Sequence, residues 1–176
     1  MTDDRYDDAS IADILRDVTS IAVVGASANT SRPSYFVMKY LLAKGYGVTP
    51  VNPGLAGQDL LGQRIAGSLA EINRPIDMID IFRASNAALD VTREAVALKD
   101  KLGLKVIWMQ LGVRNDEAAR LAEAAGLKVV MNRCPKIEYG RLSGEIGWAG
   151  VNGGVLSSKR PLLGAGVQNQ RIAPKA

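Results

Sequence analysis

The chain has 176 residues, with 22 Lys+Arg, 18 Asp+Glu, one Cys and no His. The missing imidazole excludes a Ser-His-Asp or Cys-His triad, a phosphohistidine, a two-His zinc site and a histidine pH switch. A single Cys excludes an internal disulfide and a CxxC metal or redox pair.

A chain of this length is expected to form one domain around one core. Its 47% hydrophobic and 23% charged residues are ordinary for a soluble globular protein. The longest apolar runs are short, such as Ile21–Val24, so no segment is expected to span a bilayer. The acidic start, Met1–Asp8, lacks the apolar stretch of a signal peptide, and a cytoplasmic location is the default expectation. The net charge of +4 is uneven. Met1–Asp17 is acidic, whereas Ser157–Ala176 carries Lys159, Arg160, Arg171 and Lys175 without an acid. Those four cations have no aromatic among them, so the tail reads as solvated chain, and a nucleic-acid partner is not expected.

Apolar runs of strand length alternate with helical patterns, the pattern of a parallel α/β sheet. Ile11–Asp17 reads as a short leading helix with Ser10 as N-cap. Ile21–Val24 is the first strand, an unbroken apolar run suited to burial on both faces. After the polar loop 26–32, Pro33 opens a helix that ends at Gly45. Val48–Val51 is the second strand, closed by Asn52-Pro53-Gly54. The glycine-rich stretch 55–73 is expected to hold one helical turn near Leu69–Ile72. Met78–Phe82 is the third strand. Ser85 is expected to cap one long helix through Leu102, stopped by Gly103. Lys105–Met109 and Leu127–Met131 are the last strands, with a helix over Asp116–Ala125 between them. Lys136–Leu142 reads as a final helix, and the glycines beyond Ser143 argue for irregular chain.

Five strands with helical connections predict a Rossmann-like, doubly wound α/β sheet with right-handed crossovers. Ligands of such sheets lie outside the carboxyl ends of the strands. The first of these ends, Gly25–Ser34, occupies the place of a dinucleotide fingerprint without its glycines, since Ser27 and Thr30 stand where GxGxxG needs Gly. Its helix N-terminus, its hydroxyls and Arg32 suit a phosphate-bearing ligand. Asn52 and Pro53 supply no carboxylate for an NAD ribose, which disfavours a classical dehydrogenase. Asp77 and Asp80 are an odd number of residues apart, so on a strand they face opposite sides and form no acid–base pair. Asp80 needs a partner if buried. Phe82 suits either stacking on a base or the core, and Arg83 either a phosphate or a surface ion pair. Gln110 can hydrogen-bond an amide or a base edge without titrating, and Gly112 permits close backbone approach. Trp108 reads as core. Cys134 stands at a helix start, which can lower a thiol pKa, but no imidazole exists to act as its base, so it reads as a buried structural cysteine.

Together these segments resemble the CoA-binding domain family, small proteins similar to the CoA-binding half of the succinyl-CoA synthetase α subunit. The resemblance is carried by VVGAS at Val23–Ser27, RPSYFV at Arg32–Val37, PVNPG at Pro50–Gly54, DIFR at Asp80–Arg83, WMQLGV at Trp108–Val113 and NRC at Asn132–Cys134. The pieces stand in family order over about Ile11–Leu142. The resemblance implies a Rossmann-like fold with CoA held across the strand ends. By motif position the site would be lined by Gly25, Ala26, Ser27, Arg32, Pro33, Ser34, Asn52, Pro53, Phe82, Arg83, Gln110 and Gly112. The large synthetases carry a further domain with a phosphorylated His, for which this chain has no residue.

The sequence thus divides into a helical lead-in over 1–20, a CoA-binding domain over 21–142 and a Gly-rich, basic extension over 143–176. Its expected function is non-catalytic binding of coenzyme A or a short acyl-CoA. The alternatives are an NAD(P)-binding, oxidoreductase-like protein and a CoA-dependent thiol redox role through Cys134. Self-association or a partner subunit stays open.

Overall fold

The computed structural model describes residues 6–145 and 171–174. Helix α1 (Asp8–Asp17) leads into strand β1 (Ser20–Val24), helix α2 (Pro33–Ala43) and strand β2 (Gly47–Val51). A small hairpin follows, β3 (Asp59–Leu60) and β4 (Gln63–Arg64), and then strand β5 (Met78–Ile81). Helices α3 (Ala88–Ala97) and α4 (Lys99–Leu102), strand β6 (Val106–Met109), helix α5 (Asp116–Ala124), strand β7 (Lys128–Val130) and helix α6 (Pro135–Leu142) complete the order.

The main sheet has the order β2-β1-β5-β6-β7, and every pairing in it is parallel. The side-chain period of two divides the strands between two cores. Ile21, Val23, Val48, Met78, Trp108 and Val130 pack under α1, α2 and α6. Ala22, Val51, Ile79, Ile81, Ile107 and Met109 pack under α3 and α5, where Ala88, Ala95, Ala118 and Ala122 allow close approach. Burial on both faces is why the strands read as unbroken apolar runs. Trp108 is fully buried, and its indole N–H donates to the Arg133 carbonyl at 2.8 Å, so the strand also fastens the chain that enters α6.

Several local expectations change. Asp7, not Ser10, caps α1, because its carboxylate accepts the Ser10 amide at 2.8 Å and the Ser10 hydroxyl at 2.7 Å. Ser85 does not cap a long helix. It begins a 3-10 turn, and its hydroxyl accepts the Arg114 amide at 3.0 Å from the neighbouring loop. The helix beyond it breaks at Leu98, although its apolar periodicity runs on to Leu102. The β3–β4 hairpin was hidden because its two-residue turn is Leu61-Gly62, both at positive φ, rather than Asn-Gly or Asp-Gly. Nor is Arg171 part of a solvated tail. It donates to the Lys44 carbonyl, Arg16 donates to the Ala173 carbonyl, and Ile172 packs against the core. Lys159, Arg160, Lys175 and most of the expected irregular stretch lie outside the described residues.

Asp77 and Asp80 share no partner, and their environments are opposite. Asp77, at the amino end of β5, accepts from the Thr19 amide and hydroxyl, each at 2.8 Å, and from Lys105 Nζ at 2.8 Å. Burial alone would raise its pKa, but Lys105 and Thr19 outweigh that and hold it at about 2. Asp80 is fully buried between Val23 and Trp108 of the flanking strands. Its Oδ1 has no hydrogen-bond partner, and its Oδ2 lies 3.5 Å from Gln110 Nε2. Burial raises its pKa well above the ordinary carboxylate range, against the weaker effect of Gln110, which favours the neutral acid.

The two groups give opposite pH dependences. The depressed pKa of Asp77 contributes stability that is complete above about pH 4, its unfolded value, and is lost as pH falls toward 2. Asp77→Asn should therefore lose about 1–2 kcal/mol in denaturant unfolding at pH 7, and the gap should narrow between pH 4 and pH 2. An equal loss at both ends would refute the assignment. The raised pKa of Asp80 works the other way, because ionisation of the unfolded chain costs stability once pH exceeds about 4. Asp80→Asn should raise the unfolding midpoint at pH 8 and leave it nearly unchanged at pH 4. A variant less stable than the parent at pH 8 would contradict a neutral Asp80.

Candidate functional site

Strand order reverses between β1 and β5, so the chains leaving these two neighbours diverge and open a crevice. A cavity of about 390 Å³ lies there. It is lined by Gly25, Ala26 and Ser27 after β1, by Arg32, Pro33 and Ser34 at the start of α2, by Asn52 after β2, and by Phe82 and Arg83 after β5. Nine of the twelve expected residues thus border one space of ligand size.

The crevice is closed below by a contact that only glycine permits. Gly25 has φ +92°, and a Cβ there would stand 2.7 Å from the Phe82 carbonyl oxygen and 3.2 Å from Arg83 Cδ. The Gly25 amide donates to Val51 O at 3.0 Å, so the first loop is anchored to strand ends on both sides. Asn29 then shapes the loop, accepting the Ser31 amide at 2.9 Å and the Ser31 hydroxyl at 2.7 Å. Helix α2 starts with Arg32 as N-cap residue and Pro33 in its first turn, and no side chain caps it. Pro33 has no N–H and the Tyr35 amide donates to the Arg32 carbonyl at 3.1 Å, so the Ser34 amide and the positive end of the dipole stand at the cavity, with no side chain capping them. Arg32 and Arg83 are exposed beside it, and Phe82 is half-buried against the core.

Asn52 borders the cavity but is occupied with the fold. Its Nδ2 donates to Ala26 O at 2.7 Å and its Oδ1 accepts the Gly54 amide at 2.8 Å. An aspartate could not make the first bond, which accounts for an amide where an NAD site would need a carboxylate. Pro53, exposed in the turn beyond, does not line the cavity. Gln110 and Gly112 do not line it either. Gln110 is buried, with Nε2 toward Asp80 and Oε1 accepting the Leu111 amide at 2.9 Å. Gly112, at φ +84°, donates its amide to Asn132 Oδ1 at 2.8 Å. Asn132 is itself left-handed, with φ 54°, a conformation Asn tolerates. It fastens the turn after β6 to the chain entering α6, a role its spacing in the sequence did not reveal.

Cys134 is buried at the N-cap position of α6. The helix start does not lower its pKa. Burial pushes the thiol up, and the Ile137 and Lys136 amides do not reverse it. The residue is a structural thiol in this state rather than a ready thiolate.

One electrostatic feature emerges only when the segments are set side by side. The five segments after the strands, 25–34, 52–54, 82–85, 110–114 and 132–137, contain no Asp or Glu. They carry Arg32, Arg83, Arg114, Arg133 and Lys136. These exit segments are therefore cationic and attract anions, with Arg114 paired to Asp116 at 2.9 Å just beyond them. A further cavity, of about 430 Å³, lies along the outer strand β2 beside Thr49, Arg64 and Glu71. Its Arg74 is bonded to the Thr49 hydroxyl, and it lies away from the strand ends.

The residues around the crevice fit a CoA-type ligand on two structural grounds. Gly25 leaves a cradle that any Cβ would fill, and the donor set of the Ser34 amide, hydroxyls and guanidiniums suits phosphate oxygens. Comparison with known proteins agrees. Residues 19–140 match the family model described as CoA binding domain. The chain is 35% identical over 131 residues to the uncharacterized protein YneT of Bacillus subtilis (strain 168), an alignment covering 74% of this chain and 93% of that one. It superposes on a hypothetical protein from Pyrococcus horikoshii OT3 with a TM-score of 0.72 and 37% identity, covering 81% of this chain and 99% of that one. A dinucleotide-forming acetyl-coenzyme A synthetase from Ca. Korarchaeum cryptofilum, at 24% identity and TM-score 0.55, shares the fold over 69% of this chain and 28% of its own. From strand order, site and sequence together, the chain belongs to the CoA binding domain family.

Proposed function

We propose that this protein binds coenzyme A or a short acyl-CoA at the carboxyl edge of its sheet and performs no chemistry of its own. The observation that carries this reading is the acid-free, cationic edge centred on the crevice at Gly25. In this reading the diphosphate is held by the Ser34 amide at the positive end of α2 and by the Ser27 hydroxyl. Arg32 and Arg83 contact phosphates, one of them the 3′-phosphate of CoA. Phe82 flanks the adenosine or the pantetheine arm. The Gln110–Gly112 turn and Pro53 act from outside the cavity, by holding the edge along which the ligand runs.

The absence of chemistry rests on which groups could supply it. No imidazole is present, the Cys134 thiol is buried with a raised pKa, and Asp80 is fully enclosed. NAD(P) is disfavoured because Asn52 is committed to Ala26 and Gly54.

Calorimetric titration with CoA, dephospho-CoA, NAD and NADP tests the reading. CoA should bind at sub-millimolar concentration, dephospho-CoA about tenfold more weakly, and the nicotinamide dinucleotides weakest. Arg32→Ala should weaken CoA about tenfold or more, the loss of one charge-assisted contact. Unchanged affinity in that variant would remove Arg32 from the site, and tighter binding of NAD than of CoA would overturn the reading.

A further inference from the structure

Among the described residues three large apolar side chains are exposed, namely Phe36 at 49%, Leu111 at 60% and Ile137 at 45%. All three stand at the carboxyl edge. Phe36 is in the opening turn of α2, Ile137 in the opening turn of α6, and Leu111 in the turn after β6.

The contacts between these elements bring them to one neighbourhood. Phe36 lies one turn before Tyr40 on the same stripe of α2. The Tyr40 ring meets Tyr139 of α6 at 6.0 Å and lies 5.8 Å from Lys136 Nζ, in the first turn of α6. Tyr40 is thus already level with the beginning of α6, and Phe36 lies about 6 Å further along the axis toward the strand ends. The turn bearing Leu111 is tied to the same place through the Gly112–Asn132 bond and the Trp108–Arg133 bond. The three side chains therefore border the entry to α6.

We propose that Phe36, Leu111 and Ile137 form an apolar lip that receives the acyl group of an acyl-CoA whose phosphates lie in the Gly25–Ser34 crevice. This rests on the CoA reading above and adds that the ligand is a thioester rather than free CoA. The lip and the crevice lie on the same carboxyl edge, to which α2 contributes both Phe36 and Ser34. With the phosphates in the crevice, the pantetheine arm is free to run outside it along the edge. The lip places an apolar surface on that edge, and an anionic ligand with an apolar end matches both parts. A second copy of the chain could cover the same side chains, and the test separates the two.

The full chain is titrated with CoA, acetyl-CoA, butyryl-CoA and hexanoyl-CoA, and its sedimentation velocity is measured alongside. Partial burial of each methylene predicts about a twofold gain per CH₂, so hexanoyl-CoA, with four more methylenes, should bind about sixteenfold more tightly than acetyl-CoA. In the exposed-site variants Phe36→Ala and Leu111→Ala that ratio should fall toward one. A ratio near one in the parent, with CoA still bound, overturns the acyl lip and leaves the CoA reading standing. Failure of CoA and all its esters to bind overturns both. A dimer that dissociates in Phe36→Ala, without chain-length dependence in the parent, assigns the lip to a second copy and also overturns the proposal.

Discussion

The architecture turns on the place where strand order reverses. β1 and β5 are paired neighbours, yet the chain leaves β1 toward β2 and leaves β5 toward β6. The two departing segments can part only if they first pass each other closely, and Gly25 against the Phe82 carbonyl is that passage. A side chain at Gly25 would need both a disfavoured φ and a displaced carbonyl. Every feature of the crevice follows from this contact. The loop turns outward, α2 begins at the strand ends with the Ser34 amide at the cavity, and Arg83 borders the same space.

Around this point the side chains divide their labour. Those best placed to meet a ligand, Arg32 and Arg83, are exposed. The amides beneath and beside them are already engaged. Asn52 joins the first loop to the second, Asn132 and Gln110 brace the turn after β6, and Ser85 links the loops after β5 and β6. Such bonds hold the loops in one arrangement before a ligand arrives, which reduces the ordering cost of binding. The carboxylates are kept elsewhere. Asp77 is satisfied at the amino edge by Thr19 and Lys105, and Asp80 is enclosed in the sheet. The result is a sheet with a cationic carboxyl edge and no competing anion in its five exit segments.

Much of this was legible from the chain. Unbroken apolar strands separated by helical periodicity determine a parallel sheet, and a parallel sheet determines where ligands go. Nine of the residues expected at the site border one crevice because the expectation used motif position at strand ends, where sheet geometry leaves little freedom. What stayed hidden depends on side chains meeting across long sequence separations. The Leu61-Gly62 turn uses an unfavourable residue at positive φ, so no turn signal marks it. Ser85 looks like a helix cap locally but is claimed by Arg114, 29 residues later. Arg171 and Ile172 read as tail, yet their partners are Lys44 and the core, more than a hundred residues back. The acid-free edge was present in the sequence but becomes visible only when the fold sets its five segments next to one another.

The central claim is that the crevice between β1 and β5 holds the phosphates of CoA. A crystal structure of the protein with CoA tests it most directly. The account predicts the diphosphate against the Ser34 amide at the start of α2, with a phosphate oxygen within hydrogen-bond distance of Arg32 or Arg83. CoA bound instead in the cavity beside Thr49 and Arg74, with the Gly25–Ser34 segment free of ligand, would contradict it.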